Sequence, residues 1–238
     1  MTVTLGFLLK VTFLIILIIS LRKKIFAPPP AEIIFDNSLN ISVIPAGYPF
    51  LEYKLAGAGG AGGSDVSGAG GGGGSGAYVS GKISVSEGES ISIEQGFGGI
   101  AEPDSTLPID GSDTILTIGS RTFIASGGKG GIDGSNGIPP GIGGLGGLPI
   151  PSGIPGNPGQ NAIFTNLGFP QPNGYYIGGN GGSRGGGGGG GGAGTINQGG
   201  SHGLGGMGFN GAQSGGNAVT SLAGNGGHGY FWLKLSKT

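Results

Sequence analysis

The heptapeptide GYFWLKL (residues 229–235) closes the glycine-rich run GNGGHG (224–229) and is the most aromatic strand candidate in the chain. A strand this late in the sequence has to pair with an earlier one. FLEYKL (50–55) is its natural partner, because both segments mix aromatic and aliphatic residues around a lysine and both border a glycine-rich tract. If the two are neighbours in one sheet, all the glycine between them is threaded between fixed strands. It is then a closed insertion and not a tail.

There is much glycine to thread: 63 of 238 residues, more than threefold the usual globular share of roughly 7%. Such a composition first suggests a flexible linker or disorder. Against that stand 36% hydrophobic residues, 11 Phe, 6 Tyr and a Trp, with a mean hydropathy of +0.15. Collagen is excluded, since the glycines keep no Gly-X-Y frame and Pro is only 15. The tracts fall at about 56–77, 127–160 and 178–229. Polyglycine adopts the threefold, left-handed extended helix of polyproline, at about 3.1 Å per residue. Without Cβ atoms, such helices approach closely enough for N–H···O and Cα–H···O bonds between chains. The run SRGGGGGGGGAG (183–194) therefore reads as an interior rod of a polyglycine II bundle, with disordered loops as the competing reading.

Short β segments punctuate the first half: ISVI (41–44), YVSGKISV (78–85), ESISIEQ (89–95), DTILTI (113–118) and RTFIAS (121–126). The second and third are joined by Ser86-Glu87-Gly88 and the last two by Gly119-Ser120, so each pair predicts a hairpin. The expected fold is mainly β: a jelly-roll-like sandwich with polyglycine II insertions over residues 45–238. Residues 25–44 form a spacer with the first strands, and residues 1–24 a transmembrane anchor with a basic flank.

The anchor rests on VTLGFLLKVTFLIILIISL (3–21), whose apolar residues include Phe7, Leu8, Phe13, Leu14, Ile15 and Ile16. As a helix these 19 residues span about 28 Å at ~1.5 Å each, close to a bilayer core. Lys10 near its middle costs a few kcal/mol unless it snorkels. A cleaved signal peptide is the rival reading, but that would place the positive charges before the apolar run and a small-residue cleavage site after it. Here Arg22, Lys23 and Lys24 follow the run, which predicts that the C-terminal part faces the cytosol. Pro28, Pro29 and Pro30 then form a short stiff spacer.

The net charge of −1 gives no reason to expect nucleic acid, and its distribution is uneven. Residues 25–133 hold all 12 acidic residues and four basic ones, whereas residues 134–233 carry Arg184 alone. A hundred residues with one charge suit burial in an assembly better than a free surface. The chain contains no cysteine, so disulfides and Cys-based metal sites are unavailable.

The order GAGGAGG, GAGGGGGSGAYVSGKISVSEGESISIEQGFGG, RTFIASGGKGG, a glycine-rich remainder and a closing GGHGYFWLKL resembles the glycine-rich domain of bacteriophage tail-fibre tips and of virion proteins of large DNA viruses. The resemblance covers about residues 45–237. Similar modules occur in the ectodomains of some animal receptor kinases. The resemblance implies binding or structural duty, with no catalysis and no cofactor. The N-terminal anchor departs from the tail-fibre pattern.

The chemical motifs are weak. A G-x-G-x-x-G match is expected by chance among 63 glycines, and no tract is followed by Lys-Ser or Lys-Thr. His202 and His228 have no neighbouring carboxylates in sequence and read as polar punctuation in glycine loops. Asp110-Gly-Ser-Asp113 could offer two carboxylates to Ca²⁺, but no second copy follows. Tyr175 and Tyr176, in the loop candidate FPQPNGYY (169–176), are possible surface contacts, although aromatics at strand positions more often belong to a core. The expected function is that of a non-enzymatic minor capsid protein without metal or cofactor. It would bridge an internal virion membrane to the shell and reside on the cytoplasmic side of a host membrane during assembly. Its expected partners are the lipid bilayer and other capsid or virion proteins, with self-association as a further option and no nucleic acid. A receptor-binding adhesin or cell-surface glycine-rich binding module is the alternative.

Overall fold

A computed structural model of the chain describes residues 30–63, 70–101, 109–132, 142–160, 163–166, 174–177 and 223–238. The chain divides into two units, Met1–Ile33 and Ile34–Thr238, and the fold described here is that of the second. Among the described residues no helix is long and apolar enough to cross a membrane. The segment 3–21 lies outside them, as does the glycine run 185–192.

The pairing expected of FLEYKL and GYFWLKL is present. Strand β2 (Phe50–Ala56) runs antiparallel to the C-terminal strand β10 (Tyr230–Ser236), with Leu51 opposite Leu235 and Leu55 opposite Phe231. Alternation explains why they meet: Leu51, Tyr53 and Leu55 of β2 and Phe231, Leu233 and Leu235 of β10 are buried on one face. The other face carries Phe50, Glu52, Lys54, Trp232 and Lys234, where Lys54 Nζ lies 4.7 Å over the Trp232 ring and Lys234 pairs with Glu52 at 3.1 Å. With β1 (Glu32–Asp36) and β3 (Tyr78–Ser84) they form a four-stranded sheet in the order β1-β10-β2-β3.

A second sheet contains β4 (Ile91–Glu94), β5 (Thr114–Ile118), β6 (Arg121–Ala125) and β7 (Pro149–Ile150), in that order. Its buried side chains include Ile91, Leu116, Ile118 and Phe123, and the Phe123 ring packs 4.6 Å from that of Tyr53 across the sandwich. The expected β5–β6 hairpin is there, turning at Gly119, whose φ of 56° is left-handed and suits glycine. Strands β8 (Ile163–Asn166) and β9 (Gly174–Ile177) form a separate antiparallel pair.

Two expectations about topology need correction. The segments 78–85 and 89–95 do not form a hairpin: β3 and β4 belong to different sheets. The Glu87-Gly88 turn exists, with Gly88 at φ 78° and the Ser86 N–H donating to the Glu89 carboxylate, but it is a corner. The hydrogen bonds that would join the two strands go instead to the 42–49 segment. Val85 donates to Pro49, Gly88 to Ile44, Ile91 to Ser42, and Ile44 to Glu89. ISVI is thereby reduced to a single bridge, Val43 with Ser90. The strand order also differs from a jelly roll, because strands adjacent in sequence are adjacent in the second sheet instead of interleaving between sheets.

The reason lies in the glycine. Nearly every strand of the sandwich continues into, or emerges from, an extended glycine-rich rod. β2 runs on as 57–63 and β6 as 126–132, while 70–77 leads into β3, 142–148 into β7 and 223–229 into β10. A strand leaves the sandwich along one rod and the chain returns along a neighbouring one, so sheet order and rod order are the same order.

Around the 57–63 rod the hydrogen bonds repeat every third residue. Gly57, Gly60 and Gly63 donate to Ala77, Gly74 and Gly71, all at 2.9 Å. Ala58 and Ala61 donate to Ser112 and Ile109, and Gly59 and Gly62 to Gly227 and Gly224. In return Gly128 and Gly131 donate to Ala58 and Ala61 at 2.8 Å, and Gly99 to Gly59 at 2.9 Å. A three-residue period with each azimuth serving a different neighbour is the geometry of a polyglycine II helix in a bundle. Five segments surround this rod: 70–77, 95–101, 109–113, 126–132 and 223–229. Residues 55–63 and 70–79 are all buried.

Candidate functional site: the rim of the glycine bundle

A rod at the edge of such a bundle has amides that face no neighbouring rod, and a donor left without an acceptor costs free energy. Here side chains supply the acceptors, and they recur at the rod's own spacing. Asp110 and Asp113, three residues apart, accept from Gly130 and Gly127, also three apart, both at 2.9 Å. Asn225 and His228 do the same on another edge: Asn225 Oδ1 accepts from Ala101 at 2.7 Å and His228 Nδ1 from Gly98 at 3.0 Å. The His228 ring meets Phe97 edge-on at 5.7 Å. The Ser112 hydroxyl accepts from the Phe97 amide at 2.7 Å.

Thr114 stands where rod meets sheet. Its buried hydroxyl accepts from the Gly96 amide at 3.0 Å and donates to the Ala56 carbonyl at 2.7 Å, tying the end of β2 to the rod that follows β4. Ser75, the one hydroxyl among residues 70–77, accepts from the Asn157 amide at 2.9 Å.

The second oxygen of Asp110 takes Lys129 Nζ at 2.7 Å, and this hydrogen bond holds the ammonium above the usual lysine range. Both carboxylates of the Asp110-Gly-Ser-Asp113 motif are thus engaged with backbone amides. Among the described residues no three His, Asp or Glu side chains gather as a metal cluster would require. A shallow groove of about 660 Å³ lies between Glu94, Gln95, Phe97, Ser112, Asp113 and Ile115 at the same rim.

The residues singled out for membrane contact, Phe7, Leu8, Phe13, Leu14, Ile15, Ile16, Arg22, Lys23 and Lys24, lie outside the described residues, as does His202. Tyr175 and Tyr176 stand in β9, in register with Thr165 and Phe164 of β8, so the end of the FPQPNGYY segment is strand and not loop. The capping role of Asp110, Asp113, Asn225 and His228 was missed in the sequence. Its signal is a three-residue spacing of polar side chains, Asn225 and His228 within a glycine tract and Asp110 and Asp113 outside one.

A family model described as a glycine-rich domain matches residues 37–236. The chain belongs to that glycine-rich domain family. No match is found among curated proteins.

Proposed function

We propose that the chain is a non-enzymatic structural protein of a virion, held by residues 3–21 in an internal membrane and bridging it to the capsid shell. The observation that carries this reading is the use made of polar side chains. Asp110, Asp113, Ser112, Thr114, Asn225 and His228 bond the backbone amides of the bundle, so these six polar side chains are committed to holding a scaffold. Two features of the sequence add support: the apolar run 3–21 followed by Arg22, Lys23 and Lys24, and the near absence of charge over residues 134–233. The acidic stretch 25–133 would remain hydrated. The resemblance to viral glycine-rich modules points the same way.

The test is topological. The full chain should stay with membranes through alkaline carbonate extraction, while a chain beginning at residue 31 should be released. In intact particles it should resist external protease until the shell is opened. Cleavage of intact particles, together with block of host-cell attachment by antibodies to residues 169–176, would replace the bridging role with that of an adhesin.

A further inference from the structure

Among the described residues, one rim of the bundle carries an unbroken apolar row. Along the 142–148 rod, Gly143-Gly144 and Gly146-Gly147 alternate with Ile142, Leu145 and Leu148, whose side chains are 50%, 70% and 66% exposed. Gly144 and Gly147 face inward, donating to Gly72 and Ser75, so every third residue faces out. Ile132 on the adjoining rod, 49% exposed, extends the row, since its amide donates to the Ile142 carbonyl. On the 95–101 and 109–113 rods Phe97, Ile100 and Ile109 are exposed as well, but there Asp110, Ser112, Asp113, Asn225 and His228 stand among them and cap amides. This rim carries Ile and Leu, which can cap nothing, and such a contiguous apolar row marks an interaction surface.

We infer that this ridge is the contact surface for a second copy of the same chain, related by a twofold axis. Knobs three residues apart stand about 9.3 Å apart on a rod rising ~3.1 Å per residue, and a Gly-Gly step leaves a notch between them. An antiparallel copy displaced by half that repeat seats its own Ile and Leu side chains in the notches, and the fit is reciprocal. Charge agrees with this choice of partner. Lys129, whose amide donates to Leu145, flanks the ridge with Asp110, and their side chains are 63% and 44% exposed. One cation and one anion on each copy face their opposites across a twofold axis, whereas a strongly acidic or basic partner meets no net charge there. The contact is isologous and closes as a dimer, without growing into a fibre. This inference does not depend on the virion reading, because it concerns the bundle alone.

The chain has no cysteine, which makes a direct test possible. In the full chain, Leu145→Cys should be linked into covalent dimers by a short bis-maleimide, while Ser120→Cys, at the exposed β5–β6 turn, should not. Adding Ile142→Glu and Leu148→Glu to the Leu145→Cys chain should lower the dimer yield at least about tenfold, because charges would then be buried unpaired in the contact. These residues are half or more exposed in the single chain, so the variant should keep the parent's fold, checked by circular dichroism. Linking at Leu145→Cys no greater than at Ser120→Cys overturns the inference, as does a yield that the two glutamates leave intact. Should the glutamate variant fail to fold, the comparison of the two cysteine positions decides alone.

Discussion

Ala58 and Ala61 are fully buried in a rod where their glycine neighbours could not accept a methyl group. A Cβ on Gly57 would fall on the carbonyl groups of Ala125 and Ser126, and one on Gly60 on the carbonyl of Lys129. Backbone atoms within a bonded bundle have nowhere to go. Gly60→Ala should therefore cost about 1–3 kcal/mol or more, the range for overpacking a tight interior. Ala61→Gly should cost only roughly 0.5–1 kcal/mol through chain entropy. Thermal unfolding of the two variants, one methyl gained and one lost at adjacent positions, separates a packed rod from a linker, which would tolerate both. Thr114 offers a second test at this scale. Thr114→Val keeps the shape but strips the partner from the Gly96 amide and the Ala56 carbonyl, a loss of about 1–3 kcal/mol. Thr122→Val, on the exposed side of β6, should stay within about 0.5 kcal/mol of the parent.

Among the elements, the corner between β3 and β4 shows what local sequence can and cannot tell. Ser86-Glu87-Gly88 announces a turn, and a turn is present, but nothing in those residues says which sheet the chain enters next. That depends on Ser42, Ile44 and Pro49, which take the hydrogen bonds from forty or so residues away in sequence. The strands with clear alternation, β2, β5, β6 and β10, were legible because one face of each is buried. β7, only two residues long, is too short to show any period. The rods were more legible than their composition suggests. Those buried on all sides, 57–63 and 70–77, carry only Ala and Ser besides glycine, whereas 126–132, 142–148 and 223–229 place a larger side chain at every third position, outward. Reading the tracts as glycine content hides this period; reading them in threes exposes it, and with it the caps at Asn225 and His228, whose spacing Asp110 and Asp113 repeat outside the tracts.

The corner also carries a pH dependence. The Ser86 amide and then the Arg121 guanidinium, 2.8 Å away, hold the Glu89 carboxyl below its ordinary value of 4.5. A carboxylate with a lowered folded-state pKa stabilises the fold above the unfolded value, and that contribution is lost as pH falls through the folded one. Denaturant unfolding of the parent and of Glu89→Gln should therefore differ most above the ordinary carboxyl value of 4.5 and converge as the pH falls below it. Parallel curves over that range would remove Glu89 from the corner's support.

At the scale of the molecule, the sandwich and the bundle are one object, since the strands of the first become the rods of the second. Its interior is made in two ways: Leu, Ile, Phe and Tyr side chains between the sheets, and bare backbone between the rods. The second kind of interior explains how the described glycine tracts fold, because each buried rod exchanges hydrogen bonds with neighbours on several sides. Amide hydrogen exchange of the native protein, resolved to single residues, tests this most directly. The account predicts that Gly59, Gly60, Ala61 and Gly62, and Gly72, Gly74 and Ser75 beside them, are protected as strongly as Leu55 and Leu233 in the central strands, and open only with global unfolding. Exchange of these glycine amides at the rate of an unstructured chain, with the strand amides still protected, would contradict it.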